Sequence, residues 1–177
     1  MMYFAIGGVL FLLIVIWVVN TFNRFKRLLV KIDESESGID VALTNRYDTI
    51  TQMVRTVKAY AKHEADIFTK LVQLRQGMNM AEKCSACAKM DEAAQKLVIT
   101  AEAYPELRSS ENYLKLKAAI SETESHLQAA RRLYNANVSA FNQAIVVFPA
   151  SMLAGGYREK EFFEASAAKR MDVHLDL

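Results

Sequence analysis

Two cysteines three residues apart, Cys84 and Cys87 in the sequence CSAC, are the side chains whose type and spacing most suggest chemistry. Thiolates at this spacing can supply half of a zinc site, but the second pair of ligands is missing from the sequence pattern. A redox-active pair would need a βαβ setting, for which the chain has no pattern. We therefore expect reduced, incidental thiols and no cofactor, and we keep a metal site at Cys84 and Cys87 as the weaker alternative.

The histidines do not complete a catalytic motif. A di-iron site in a helical bundle uses Glu-x-x-His twice, and this spacing does not occur around His63 or His126. The sequence HEADI, which begins at His63, also lacks the second histidine of a zinc-protease helix. Phosphate-binding glycine loops and the nucleophile motif G-x-S-x-G are equally missing from the sequence. We predict that the protein is not an enzyme.

The composition predicts an all-α protein. Only 6 glycines and 2 prolines are available for turns among 177 residues, and good helix formers are abundant. The net charge is +2, of which four basic residues before Asp33 contribute +4, so the remainder of the chain carries −2. A nearly neutral body argues against a nucleic-acid partner, which would require a basic face.

The first 23 residues carry no charge, and they are apolar from Tyr3 to Val19. Seventeen helical residues rise roughly 26 Å, close to the minimum for crossing a hydrocarbon core of about 30 Å. Leu10 and Leu13 lie in the middle of this run, with Tyr3 and Trp17 near the two interfaces. A cleaved signal peptide would want a basic start, which the sequence does not have. We predict an uncleaved transmembrane anchor over residues 1–23.

The charges that follow this segment predict its orientation. The four basic residues all lie on its C-terminal side; they are Arg24, Lys26, Arg27 and Lys31. Because positive charge favours the cytoplasmic side, we expect a single-pass protein whose N-terminus is outside and whose body is cytoplasmic.

The body shows the three- and four-residue spacing of amphipathic helices. One pattern runs from Leu28 to Ala61 and is broken only by Gly38, so the anchor and this helix can be continuous. A second pattern contains Ile67, Leu71 and Leu74, and a third ends at Pro105. Ser109 or Ser110 can then cap a long fourth helix.

This fourth helix has a sustained apolar seam typical of a bundle. The core is predicted at Ile120, Leu127, Tyr134, Val138, Phe141 and Ile145. Glu124 and Arg131 also occupy seam positions. Asp40 and Arg46 lie in the region of the first helix from which they can form ion pairs with these two residues. Either these four residues form a buried polar network that fixes register, or the seam widens and the charges reach water. The predicted architecture is an N-terminal transmembrane helix followed by an elongated antiparallel bundle of about four helices over residues 24–156, with a tail over 157–177.

At this point the chain resembles the LemA family. The resemblance rests on two blocks, residues 39–64 and 97–155, which include the strings AEAYPEL, ENYLKL and ARRLYN, and on the closing sequence GGYREKEFFEA. It implies a membrane helix followed by a helical bundle in a bacterial cytoplasmic or derived membrane, with no established enzymatic activity. The chain departs from the family at Thr51, where proline is usual, at Ala59, where glycine is usual, and in a tail without its usual proline. These departures put the course of the first helix and the tail in question.

Function is predicted from this organisation. The favoured hypothesis is a membrane-tethered scaffold whose partners are the lipid bilayer, further copies of itself and an unidentified membrane protein. By family analogy that protein could be a membrane protease, and family members also take part in membrane organisation such as magnetosome formation. The alternative is a sensor that binds a metal or small molecule through Cys84 and Cys87 or through an inter-helix pocket. The tail, with Tyr157, Phe162 and Phe163, can lie on its own bundle, on a neighbour or on lipid.

Overall fold

The structure is a computed structural model that describes residues 2–60 and 77–163, and within these ranges its regular elements are all helical. Four α-helices are present there: α1 (Met2–Tyr60), α2 (Met80–Glu102), α3 (Pro105–Ser109) and α4 (Glu111–Val146). A 3₁₀ helix, Ala150–Leu153, follows the turn after α4. The all-α fold class is confirmed. The predicted pattern at Ile67, Leu71 and Leu74, His63, and the tail after Phe163 lie outside the described residues.

α1 continues without interruption from the apolar segment into the body. Gly38 lies inside it, as the sequence pattern predicts. Thr51 lies inside this helix and donates its hydroxyl to the Tyr47 carbonyl over 2.8 Å. Serine and threonine hydroxyls inside helices commonly donate a hydrogen bond to the backbone carbonyl four residues earlier. The helix is therefore not broken at this position.

Side-chain caps define where α2 and α4 begin. Asn79 and Glu82 form a reciprocal capping box at the start of α2, with two hydrogen bonds of 2.9 Å. Gly77, just before it, has a φ of +78°, a left-handed conformation that glycine adopts without strain. Of the two serines proposed as the cap of α4, Ser110 accepts a hydrogen bond from the Tyr113 amide at 3.3 Å. Pro105 does more than end α2, because it is the first residue of the short helix α3.

The chain divides into two compact units, and the first comprises residues 2–37 and 133–162. In this unit α1 packs against α4. Asn137 Nδ2 of α4 donates to the Lys31 carbonyl of α1 at 3.1 Å. Farther along α4, Phe141 lies at the level of Phe25, because the Tyr157 ring contacts both of these rings. Residue numbers rise along α4 as they fall along α1, so the two helices are antiparallel here. The buried side chains of this core include Phe25, Ile32, Val138, Phe141 and Ile145.

The segment after the 3₁₀ helix returns along α4. The Tyr157 ring makes edge contacts with Phe25 at 5.2 Å and Phe141 at 6.0 Å between ring centroids. Asn142 donates to the Lys160 carbonyl and accepts from the Lys160 amide, both at 2.9 Å, and the Tyr134 hydroxyl donates to the Glu161 carbonyl at 3.1 Å. Residues 157–161 thus dock on their own chain.

The second unit comprises residues 38–60, 77–132 and Phe163, and it contains α2, α3 and the adjoining parts of α1 and α4. Its core is apolar, with fully buried side chains from each of the four helices; they include Ile39, Leu43, Ile50, Met53, Met90, Leu97, Leu107 and Leu127. Ile120, predicted in the same seam, is half-buried. Two basic side chains, Arg46 and Lys83, are buried with this core. They are the polar groups that need an explanation, because a buried charge is costly unless it is paired.

Candidate functional site

The Arg46 guanidinium is the centre of a charge cluster that joins three helices. Its Nη2 atom lies 2.6 Å from Asp91 Oδ1 of α2 and 2.7 Å from Glu124 Oε2 of α4. The Arg46 side chain is 4 % exposed, and the two carboxylates are 21 % and 22 % exposed. One buried cation from α1 is therefore shared by two acids, one from α2 and one from α4, at the edge of solvent.

The hydrogen bonding of this cluster is one-sided. Among the described residues, Arg46 Nε and Nη1 find no hydrogen-bond acceptor, although both atoms are buried. The close approach of Nη2 to Glu124 Oε2 is a charge contact without directed hydrogen-bond geometry, whereas Glu124 Oε1 accepts from Gln128 Nε2 at 3.0 Å. The guanidinium thus uses one nitrogen for both carboxylates, donating a hydrogen bond to Asp91 and making a charge contact with Glu124.

Asp40 lies in a different ion pair from the one that the sequence suggested. Its Oδ1 atom is 2.7 Å from Lys83 Nζ, and the Lys83 side chain is 4 % exposed while that of Asp40 is 54 % exposed. Sequence reasoning missed both Lys83 and Asp91, the partners that α2 contributes. One pattern could have found Lys83: it lies on the same helical stripe as Ala86, Cys87 and Met90, all buried. A lysine on such a stripe needs a carboxylate from a neighbouring helix.

Arg131, the fourth member of the proposed network, has other neighbours. Its guanidinium carbon lies 4.6 Å from the centre of the Phe163 ring, a cation–π distance. It also lies beside Cys87, where it opposes the effect of burial on that thiol. The structure therefore brings Arg46 and Glu124 together, and it places Asp40 with Lys83 and Arg131 with Phe163 and Cys87.

The two cysteines lie on α2 and are not joined in a disulfide, with Cys84 half-buried and Cys87 buried. Burial raises the pKa of the Cys87 thiol above its ordinary value, and the nearby Arg131 and Arg46 charges only partly offset this. A raised pKa keeps the sulfur protonated, whereas metal binding and nucleophilic attack need the thiolate. Within the part of the chain that the structure describes, no group of three or more His, Cys, Asp and Glu side chains is arranged to hold a metal ion.

The second feature that can act on other molecules is an apolar groove between α2 and α4. It has a volume of about 390 Å³ and is lined by Met53, Ala94, Gln95, Val98, Ile99, Lys117 and Ile120. Ile99 is 66 % exposed at this groove, and Lys117 supplies its one charged side chain. The half-burial of Ile120 has its reason here, because the groove opens beside it. Apolar grooves between helices accept partner helices or small apolar molecules.

The first part of α1 is apolar and uncovered. An 18-residue window in this helix reaches a mean hydropathy of 2.7 with none of it buried, and α1 is the one helix in the described ranges that is long and apolar enough to cross a membrane. Tyr3, Leu10, Leu13 and Trp17 are all exposed. The basic residues that follow are exposed as well; they are Arg24, Lys26, Arg27 and Lys31. By length and composition, this segment is suited to a single membrane span or to a signal sequence.

Comparison with known proteins identifies the family. The model of the LemA family matches residues 35–176, which is most of the chain. This chain belongs to the LemA family. It is also 27 % identical over 158 residues to the protein LemA of Metamycoplasma hominis, an alignment that covers 85 % of this chain and 72 % of that relative.

The LemA match begins inside α1, at residue 35, and so it covers the helices of the body without the apolar segment. Arg46, Asp91 and Glu124 all fall within the matched residues. The charge cluster is therefore a feature of the LemA part of the chain, and the apolar segment has to be interpreted from its own physical properties.

Proposed function

We propose that this LemA-family protein is a non-enzymatic, membrane-tethered scaffold. The apolar part of α1 crosses the bacterial cytoplasmic membrane, or a membrane derived from it, and the helices of the body lie on the cytoplasmic side. The observation that carries this proposal is the continuity of α1, which runs from an exposed apolar segment into the packed core of the body without a break. A continuous helix fixes the orientation of a body relative to its span, which a flexible linker would not do.

The scaffold needs a surface for assembly, and the groove between α2 and α4 supplies one. Ile99 extends into solvent beside apolar groove walls, and a single lysine lies at the edge. A helix from a second copy, or from a membrane-protein partner, would bury this apolar surface. The small residues of the apolar segment add a second opportunity for contact. A Cβ atom at Gly7 or Gly8 would meet nothing within 4 Å, so these positions are open to a neighbouring helix.

The test is the mass of the full chain in nanodiscs and in detergent across a range of protein concentrations. We expect oligomers, together with a smaller mass for Ile99→Glu, because a charge in the groove opposes burial of its walls. Val41→Glu is the matched control, since it places the same charge on a similarly exposed apolar residue outside this groove. A monomer at every concentration would reduce the protein to a single-copy tether. Oligomers unaffected by Ile99→Glu would assign assembly to another surface.

A further inference from the structure

Four apolar side chains lie exposed at the end of α4, in the turn after it and in the 3₁₀ helix that follows. They are Val146, Val147, Phe148 and Met152, which we call the α4 tip. Phe148 is 75 % exposed and Met152 is 74 % exposed, and the two valines are exposed to a similar degree. Scattered single apolar residues on a surface are ordinary, but four exposed ones within residues 146–152 concentrate apolar surface in one short stretch of chain, where a partner would cover it.

The stretch of chain that contains the α4 tip is free of charge. Between Arg132 and Arg158 the sequence has no Asp, Glu, Lys or Arg residue. The rest of the body carries charged residues at short intervals, as expected for a surface in contact with water. The apolar segment of α1 is the other uncharged stretch of comparable length, running from Met2 to Asn23. Both uncharged stretches belong to the same compact unit.

The position of the α4 tip along α1 follows from the antiparallel packing. Asn137 Nδ2 bonds to the Lys31 carbonyl at 3.1 Å, and Val146 is nine residues farther along α4, so the end of the helix is level with about Phe22. Phe148 and Met152 follow this end of α4 in the turn and in the 3₁₀ helix. Burial along α1 agrees: Thr21 is 7 % exposed and Val18 is half-buried, whereas every described residue from Met2 to Trp17 is exposed.

This level lies inside the uncharged part of α1. Phe22 is two residues and Val18 six residues before Arg24, the first charged residue, which corresponds to about 3 Å and about 9 Å along the helix axis. Amphipathic segments that lie at a membrane surface bury their apolar side roughly 5–10 Å into the boundary between headgroups and acyl chains. The α4 tip is therefore at the depth where the cytoplasmic-side acyl chains begin, if Arg24 lies among the headgroups.

We infer that the α4 tip is a second membrane-inserting element, whose partner is the acyl chains of the leaflet around the cytoplasmic end of α1. This inference rests on the proposed span, because the span sets the height of the tip. Continuity decides the occupant: lipid that surrounds the exposed residues up to Trp17 also surrounds the adjoining tip. Tyr157 docks the returning chain onto Phe25 and Phe141, so the tip is held beside the span rather than at the end of a free loop. The body is then attached to the membrane at two points, which restrains its rotation about α1.

The experiment uses fluorescence quenching by lipids with brominated acyl chains, in vesicles containing the full-length protein. The sequence has a single tryptophan, Trp17, which reports on the span in the native chain. In a Trp17→Phe background, Phe148→Trp or Met152→Trp reports on the tip, and Leu114→Trp reports on an exposed apolar position of α4 in the other compact unit. Because each tip residue is exposed, the fold is expected to tolerate these changes, and helical content measured by circular dichroism checks this.

We expect strong quenching and blue-shifted emission at Trp17 and at both tip positions, with neither at position 114. Quenched Trp17 beside unquenched tip positions would overturn the inference and leave the span intact, and it would favour a second copy as the cover of the tip. Unquenched Trp17 would refute the proposed membrane span, and the inference about the α4 tip, which rests on that span, would fail with it. Equal quenching at position 114 and at the tip would also overturn the inference, because the body as a whole would then lie on lipid.

Discussion

Arg46 Nη2 of α1 lies 2.7 Å from Glu124 Oε2 of α4, and the same nitrogen lies 2.6 Å from Asp91 Oδ1 of α2. One guanidinium therefore holds the acidic groups of two other helices. The Arg46 side chain is almost fully buried, so its removal takes away the buried cation that both carboxylates contact. This relationship gives the first prediction about stability.

Arg46→Met is expected to lower the free energy of unfolding by about 3 kcal/mol. The value is at the low end of the range for a broken buried ion pair, because Asp91 and Glu124 keep partial contact with water. Denaturant unfolding followed by circular dichroism in detergent measures it. Arg55→Met, an exposed arginine on the same helix, is the control, with an expected change within about 0.5 kcal/mol. Adding Glu124→Gln to Arg46→Met should cost less than Glu124→Gln alone, and strictly additive losses would contradict the pairing.

The seam of α4 gives the second prediction. Leu127 and Phe141 are fully buried, one in each compact unit, so Leu127→Ala and Phe141→Ala should each cost on the order of 2–5 kcal/mol in unfolding free energy. Leu133→Ala changes an exposed residue of the same helix, and we expect an effect within about 0.5 kcal/mol. Similar small losses for all three variants would mean that the seam is not packed in solution.

The seam was predictable because burial along a helix follows its period. Leu127, Tyr134, Val138, Phe141 and Ile145 recur at steps of three, four and seven, and all are buried. Continuity of α1 was predictable for a similar reason, since the apolar run is followed by an amphipathic pattern whose only break is Gly38. Both properties depend on residues near one another in sequence.

The partners of the buried charges were not predictable in the same way. Asp40 and Arg46 were matched with α4 from their position along α1, but Lys83 and Asp91 of α2 supply partners to them. Which charge meets which depends on the rotation of α2 about its axis, and its weak apolar pattern leaves that rotation open in the sequence. The partial exposure of Ile120 was unpredictable for the same reason, because the groove beside it is formed by the relative placement of α2 and α4.

The Cys87 thiol is expected to resist alkylation. Burial raises its pKa above the ordinary value of 9.0, so the thiol stays protonated at neutral pH and the reactive thiolate is scarce. Iodoacetamide labelling of the Cys84→Ser variant, which retains Cys87, should be much slower in the folded protein than in denaturant. Cys87→Ser, which retains the half-buried Cys84, serves as the comparison. Equal labelling rates for Cys87 in the folded and unfolded states would contradict its burial.

The same thiol predicts a pH dependence of stability. Because its pKa is raised in the folded state, the neutral form is favoured there, and this contribution is complete below pH 9.0. It is lost as the pH rises from the unfolded pKa through the folded pKa, since the unfolded chain releases the proton first. Cys87→Ala should therefore flatten the fall in unfolding free energy above pH 9.0. An unchanged slope in this variant would assign the alkaline loss to other groups.

Metal content tests the alternative sensor function. Protein purified under reducing conditions should hold no stoichiometric zinc or iron by elemental analysis, because the described residues bring no third His, Cys, Asp or Glu ligand to the two cysteines. The Cys84→Ser/Cys87→Ser variant, prepared in parallel, provides the background. Stoichiometric metal in the native chain that disappears in the variant would replace the scaffold with a metal-binding sensor.

The proposed orientation in the membrane rests on the basic residues after the apolar segment. A reporter that is active only in the cytoplasm should work when fused after Leu177, and one that requires the periplasm should not. Changing Arg24, Lys26, Arg27 and Lys31 to Gln should weaken this preference, because positive charge within a short distance of the span fixes orientation. The matched control removes the same amount of charge by changing four exposed basic residues to Gln far from the apolar segment in sequence. These residues are Arg55, Lys89, Lys115 and Lys117. The control should keep the original reporter pattern.

If both sets of changes alter the pattern equally, net charge and not position sets the orientation. A periplasmic reporter signal from the native chain would instead place the body outside the cytoplasm.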